Sequence, residues 1–238
     1  HYLLHYSKQV DKDASYSLGL HYTKGKGYYE QYKSGEDFAD YGLNNVTIGN
    51  DTLTETDLIR RKWLDNDFYG AIFSYNNSAD KLDYTIGGGW NTYDGRHYGV
   101  VRWAEYASNS TIDHIYYDND GIKTDFIVYS KGLYNYSDDI TIYADLQHRQ
   151  IDYSFLGKDE NGAQRNDTVN FEFFNPKFGA FYQIDANSSA FASFAIANRE
   201  PNRADFVESS PNSRPLHETL YNTELGYKLN VDRFAFSA

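Results

Sequence analysis

The 238-residue chain contains no cysteine and no methionine. The first absence excludes a disulfide framework and thiol chemistry. The second, together with a start at His1 that resembles no signal peptide, sets the expectation of a mature piece of a longer product. Cationic excess is missing too. Lys and Arg together number 22 against 34 Asp and Glu, a formal net charge of -12, whereas neutralising phosphates requires clustered Lys and Arg; nucleic acid is excluded as a partner. No Ser-His-Asp, Cys-His or paired-carboxylate arrangement carries catalysis, so the chain does not read as an enzyme. Apolar character is scarce on average, with a mean hydropathy of -0.71. That value does not exclude a bilayer, because in a barrel wall only alternate residues face lipid.

What is abundant is aromatic. Tyr alone occurs 24 times and Phe 15 times, more than a soluble core needs, and suited to interfacial girdles where an apolar ring carries a polar tip. These residues fall on a two-residue period. In Leu82-Asp83-Tyr84-Thr85-Ile86 through Trp90-Asn91, Leu82, Tyr84, Ile86 and Trp90 share one face and Asp83, Thr85 and Asn91 the other. In the segment from Ile140, the set Ile140, Ile142, Ala144, Leu146 opposes Thr141, Tyr143, Asp145, Gln147 and Arg149, a lining that no dry core accepts unpaired.

Ten such strands are expected at roughly 2–8, 13–24, 64–76, 82–94, 121–136, 140–156, 168–184, 189–199, 219–230 and from 233 onward. Tight connections at 76–80, 135–139, 185–188 and 230–232 alternate with long ones at 25–63, 95–120, 157–167 and 200–218. The first long connection has room for its own structure, with a short helix expected near Glu36 to Leu43. The pattern is that of an all-β, antiparallel transmembrane β-barrel with short periplasmic turns and long extracellular loops. Ten strands with two open edges in lipid leave edge amides unsatisfied, so the expectation is part of a larger barrel.

Several stretches then carry a family likeness. Leu20-His21-Tyr22-Thr23-Lys24-Gly25-Lys26-Gly27-Tyr28-Tyr29, Lys123-Thr124-Asp125, Tyr143 to Arg149, Phe173-Phe174-Asn175-Pro176-Lys177, Asn198 to Phe206 and Glu218 to Tyr227 resemble TonB-dependent outer-membrane receptors, particularly those of Bacteroidetes. The resemblance implies that residues 1–238 are part of a 22-stranded barrel domain, with the plug domain and energy-coupling segment not in this chain. It implies active import of a scarce solute: a metal chelate or siderophore, cobalamin, a glycan or a peptide. The implied partners are the TonB-ExbB-ExbD energy-transducing complex, outer-membrane lipid and lipopolysaccharide, a surface lipoprotein, and a small-molecule or oligomeric ligand. The implied location is the outer membrane of a Gram-negative bacterium. A passive channel and a soluble all-β carbohydrate-binding module are the alternatives.

For ligand contact the candidates are Tyr28, Tyr29 and Tyr32 in the first long connection and Trp103 and Tyr106 in the second, because stacking rings give contact area with little entropy loss. The alternative for these rings is an outer girdle with loop packing. Arg199 and Arg203 are the charged candidates, in a cluster with Glu200 and Asp205 whose other reading is an ion-pair network at a loop base. Asp118-Asn119-Asp120-Gly121 begins like a calcium loop but lacks its terminal Glu, and reads as a turn. His97, His114 and His217 fall in three separate loops, so no metal is assigned, and no cofactor is expected.

Overall fold

A computed structural model describes residues 1–238 other than 161, 211, 232 and 238. Ten strands form one antiparallel sheet in chain order: β1 (Tyr2–Gln9), β2 (Ala14–Asp37), β5 (Glu55–Ala79), β6 (Leu82–Ala104), β7 (His114–Asn135), β8 (Ile140–Lys158), β9 (Gln164–Gln183), β10 (Ser188–Arg199), β11 (Glu218–Val231) and β12 (Phe234–Ser237). A small hairpin, β3 (Val46–Ile48) and β4 (Asp51–Leu53), sits in the first long connection. The sheet does not close. β1 and β12 each pair on one side only, so this is a wall segment of a barrel.

One end of the wall is made of tight turns closed by side chains that mimic a backbone turn. Asp11 Oδ1 accepts from the amides of Asp13 and Ala14 at 2.8 and 2.9 Å, and Asp185 Oδ1 accepts from Asn187 and Ser188 at the same two distances. The tight connections expected at 135–139 and 185–188 lie here, whereas the one expected at 76–80 is a turn at 80–81, because β5 stays paired with β6 as far as Ala79; of the fourth, Asp232 falls outside the described residues.

Above the turns the two faces differ in chemistry. Tyr16, Leu18, Leu20 and Tyr22 of β2 lie in register with Tyr75, Phe73, Ala71 and Tyr69 of β5, and most of these rings and aliphatic chains are exposed. The belt continues through Ile86 and Trp90 of β6, Phe126 and Val128 of β7, and Phe178 of β9. Apolar side chains exposed over a whole sheet face have no protein core to enter, and lipid is the solvent that fits them. The opposite face carries Ser17, Ser74, Thr85, Gln147 and Asn175, with hydrogen bonds from Ser17 to Ser74 at 2.8 Å and from Asn175 Nδ2 to Gln147 at 2.9 Å.

The strands run further than the apolar alternation predicted. Residues 25–37, 55–63 and 95–104, expected in loops, extend β2, β5 and β6, and Asp118 to Gly121 lies within β7 rather than in a turn. The reason is a change in what the outer face presents. Past Tyr22 the outward positions become Lys24 and Lys26, bonded to Asp67 and Asp65 at 2.8 Å, and Asp118 pairs with Arg96 Nε at 2.8 Å. Cross-strand ion pairs hold the ladder where no lipid demands apolar residues, so the strand persists while its hydrophobic period ends.

At this upper end the first long connection folds on itself. A single 3-10 turn, Phe38–Tyr41, lies where the short helix was expected and is ended by Gly42 at a φ of +65°, a left-handed position that suits glycine. Phe38, Tyr41 and Leu43 pack against Leu58, Val101, Tyr116 and Tyr117 as a buried apolar cluster, which pins the connection to the inner side of β5, β6 and β7.

Candidate functional site

The elongated strands and the folded connection enclose a cavity of about 1150 Å³ at the long-loop end. Arg60, only 13% exposed, is fixed from three directions: its Nη1 donates to the Tyr41 hydroxyl at 2.9 Å and to Glu160 Oε1 at 3.4 Å, and its Nε donates to Gln31 Oε1 at 3.2 Å. The Tyr41 hydroxyl in turn donates to Glu36. Burial, and then the Glu36 carboxylate, push the Tyr41 pKa well above its ordinary value, so this phenol stays protonated as a donor. His114 Nε2 lies 2.8 Å from the Tyr41 carbonyl oxygen, and Lys62 pairs with Glu160.

The second wall of the cavity comes from the connection after β10. Its helix α1 (Arg203–Glu208) opens with a reciprocal cap: the Asn202 side chain accepts from the Asp205 amide at 3.2 Å, and Asp205 accepts from the Asn202 amide at 2.8 Å. Phe206 buries its ring 5.6 Å from that of Phe155 and 6.3 Å from that of Phe171. Glu200 accepts from Lys123 Nζ at 2.7 Å and from Arg149 Nη1 at 3.0 Å, and Arg149 also donates to Asp125 at 3.0 Å. The connection is thus folded back onto the inner face of β7, β8 and β9. Arg203 reaches Asn119 at 3.0 Å and Asp159 at 3.1 Å, and Asp159 also accepts from Arg165 at 2.7 Å.

Sequence comparison decides what this wall belongs to. Residues 2–238 match the family described as TonB dependent receptor-like, beta-barrel. The chain belongs to that family. No curated protein sequence matches it. Among solved structures, the wall resembles the closed form of the ferric-catecholate import receptor Fiu from E. coli K12, with a TM-score of 0.63, 14% identity, and coverage of 96% of this chain and 38% of that one. It also resembles the copper transporter OprC, with a TM-score of 0.71, 11% identity, and coverage of 97% and 36%. The receptor segment therefore spans well under half the length of these structures, which at such identities share its fold. The sheet is a transmembrane β-barrel wall, its tight turns periplasmic and its long connections extracellular.

Within this TonB-dependent receptor barrel the candidate residues are spread over several environments. Tyr28 and Tyr29 line the cavity from β2, in the extension of the strand rather than in a loop. Tyr28 is held between Trp63, at 4.5 Å between ring centroids, and the Arg61 guanidinium at 4.3 Å. Tyr32 is exposed and donates to Asp57. Trp103 belongs to β6, not a loop, and is half exposed opposite Ile59. Tyr106 packs beside the apolar cluster and borders a separate, shallower pocket with Asn45 and Asn109. The charged cluster divides: Arg203 lines the cavity, Glu200 joins the Lys123 and Arg149 network, Asp205 caps α1, and Arg199 ends β10 opposite Glu218. The three loop histidines also separate, with His97 in β6 at the cavity, His114 on Tyr41 and His217 beside Phe173.

Sequence reasoning missed Tyr41, Arg60, Tyr116 and Tyr117. One signal was present: Arg60-Arg61-Lys62 is a basic run in an acidic chain, and unpaired cations in sequence ask where their counter-charges come from.

The Glu200 anchor is sensitive to pH. Burial alone raises its pKa, but the hydrogen bond from Lys123 and the field of Arg149 override this and hold it below its ordinary value. A carboxylate whose folded pKa is depressed contributes stability above its unfolded pKa of about 4.3 and loses it as the pH falls through the lower folded value. Protease cutting within residues 200–217 of the full-length receptor is therefore expected to be slow at neutral pH and to accelerate below about pH 4. A cutting rate that is flat across that range contradicts the anchor.

Proposed function

We propose that the intact protein is an outer-membrane TonB-dependent receptor that imports a scarce solute, and that the mouth cavity is where this solute first binds. The observation that carries the reading is the position of the cavity: on the inner face, above the lipid belt, with walls from Tyr29, Arg60, Tyr116 and Arg203. A site there samples extracellular solute and opens toward the barrel interior. The similar structures support uptake as the activity class, being described as a ferric-catecholate import receptor and a copper transporter. In this reading the wall is the conduit, a plug domain outside this chain obstructs it, and the TonB-ExbB-ExbD complex supplies the force that moves the plug. Outer-membrane lipid and lipopolysaccharide surround the apolar belt, and a surface lipoprotein is the further partner of the mouth.

The test is made on full-length receptor. In planar bilayers it is expected to show no steady conductance, and cells that depend on it for a limiting nutrient are expected to stop growing when TonB is deleted. A steady open pore, with growth unaffected by loss of TonB, contradicts the reading and leaves a passive channel.

A further inference from the structure

We infer that the mouth cavity selects an uncharged, oxygen-rich ligand with an apolar ring face, which in chemical class is a neutral oligosaccharide. The inference rests on the proposed function, since it takes the cavity to be the binding site, and it adds the class of ligand.

The first observation is charge. Of the four cationic and five carboxylate residues along the cavity wall, Lys26 sends its ammonium to Asp65 on the outer face, so the lining has no positive excess with which to hold a polyanionic chelate or a uronate. The cations are also already engaged. Arg60 and Lys62 share Glu160, Lys26 is bonded to Asp65 at 2.8 Å, and Arg203 is bonded to Asp159 at 3.1 Å. A charged ligand must break these pairs to use them, and of their carboxylates Asp159, at 7% exposure, is the one left poorly solvated.

The second observation is what remains unsatisfied. Tyr116 is only 3% exposed, and its hydroxyl has no hydrogen-bond partner among the described residues; the Nε–H of Arg203 is likewise buried and unpartnered. Both residues belong to the cavity wall. A buried donor without an acceptor is destabilising, and both groups can donate. What completes them is an acceptor oxygen arriving from the cavity, not a cation.

The third observation is a free ring. Tyr29 lines the cavity, is 54% exposed, and makes no hydrogen bond or ring contact among the described residues. Tyr28, by contrast, has its faces occupied by Trp63 and Arg61. An unoccupied aromatic face beside two donors matches a pyranose, whose C–H face stacks on a ring while its hydroxyl oxygens accept hydrogen bonds. A neutral peptide shares the absence of charge and offers carbonyl acceptors, but presents a ring face only where its sequence carries an aromatic residue or proline, and so serves as the comparison.

The test uses detergent-solubilised full-length receptor and an array of neutral oligosaccharides, oligogalacturonates, a ferric tricatecholate and uncharged hexapeptides, with calorimetry on whatever binds. At least one neutral oligosaccharide is expected to bind, with an affinity that changes less than about twofold between about 50 and about 500 mM salt. Tyr116→Phe and Tyr29→Ala are each expected to weaken that binding about tenfold, with the heat-modifiable gel mobility of the folded barrel unchanged. Absence of binding by every neutral oligosaccharide overturns the inference, as does selective binding of the uronate, the chelate or the peptides. If one of those other ligands binds and still depends on Tyr116 and Tyr29, the ligand class is wrong and the cavity assignment survives. If a ligand of any class binds indifferently to both substitutions, the cavity itself is not the site.

Discussion

Gly70→Val is expected to destabilise the wall by about 3 kcal/mol and to remove most folded receptor from the outer membrane. A Cβ at Gly70 meets the Trp90 carbonyl oxygen at 2.3 Å and the Asn91 Cα at 2.8 Å, and both atoms are backbone of the paired strand β6, which cannot rotate aside. Relief requires β5 and β6 to separate where twenty-odd residues on each strand are otherwise in continuous register. Lost ladder bonds in a lipid-facing wall are not replaced by water. The matched control is Gly121→Val on the inner face of β7, where a Cβ meets nothing within 4 Å; here the change is expected to stay within about 0.5 kcal/mol. Urea unfolding of full-length receptor in detergent, with heat-modifiable gel mobility, reads both. Equal midpoints for the two variants contradict the close approach at Gly70.

Phe38→Ala has the second large effect, and acts on function more than on the barrel. Phe38 is wholly buried in the cluster with Leu58, Val101 and Tyr116, and its amide donates to the Thr54 carbonyl at 2.9 Å. Truncating a buried Phe costs about 3 kcal/mol or more, because the transfer term is joined by a cavity term. The connection between β2 and β5 is held mainly by this cluster, so the loss is local. It releases Tyr41 and with it one hydrogen bond that fixes Arg60 at the cavity. Amide exchange over residues 38–53 is expected to accelerate about a hundredfold while strand amides below Tyr22 keep their protection. If the mouth cavity is the binding site, as proposed, ligand affinity is expected to fall with it. Unchanged exchange in 38–53 means the connection is held by something other than this cluster.

These two variants mark the boundary of what could be read from sequence. Strand identity was legible wherever lipid forces one face to be apolar: Leu18, Leu20 and Tyr22, or Ile86 and Trp90, repeat every second residue because the other face is wet. The ten strands and their tight turns follow from that constraint, and the short turn at Phe38–Tyr41 from the room in the first connection. Above the belt the constraint lapses. Lys24, Lys26, Arg96 and Asp118 are strand residues held by pairs across the sheet, and a pair between residues far apart in sequence leaves no local period.

The site divides in the same way. Tyr28, Tyr29 and Arg203 were visible as aromatic or charged residues near strand ends. Arg60 and Tyr41 lie nineteen positions apart, and Tyr116 enters the cavity beside a register shift between Gly99 and Val100. A bulge changes which residues face inward, and no alternation rule anticipates where one falls. Arg199, Glu200, Arg203 and Asp205 are close in sequence yet serve different ends, because the chain turns into α1 between them and its cap consumes Asp205.

That this wall is one segment of a larger receptor barrel is tested most directly by the denatured mass of the native polypeptide in an outer-membrane fraction. Antibodies against residues 28–45 serve as the probe. Since the segment covers 36 to 38% of two structurally similar proteins, the band is expected between two and three times the 27.4 kDa of this chain. A band near 27.4 kDa contradicts it, because ten strands would then have to close alone and the receptor reading would fall with the larger barrel.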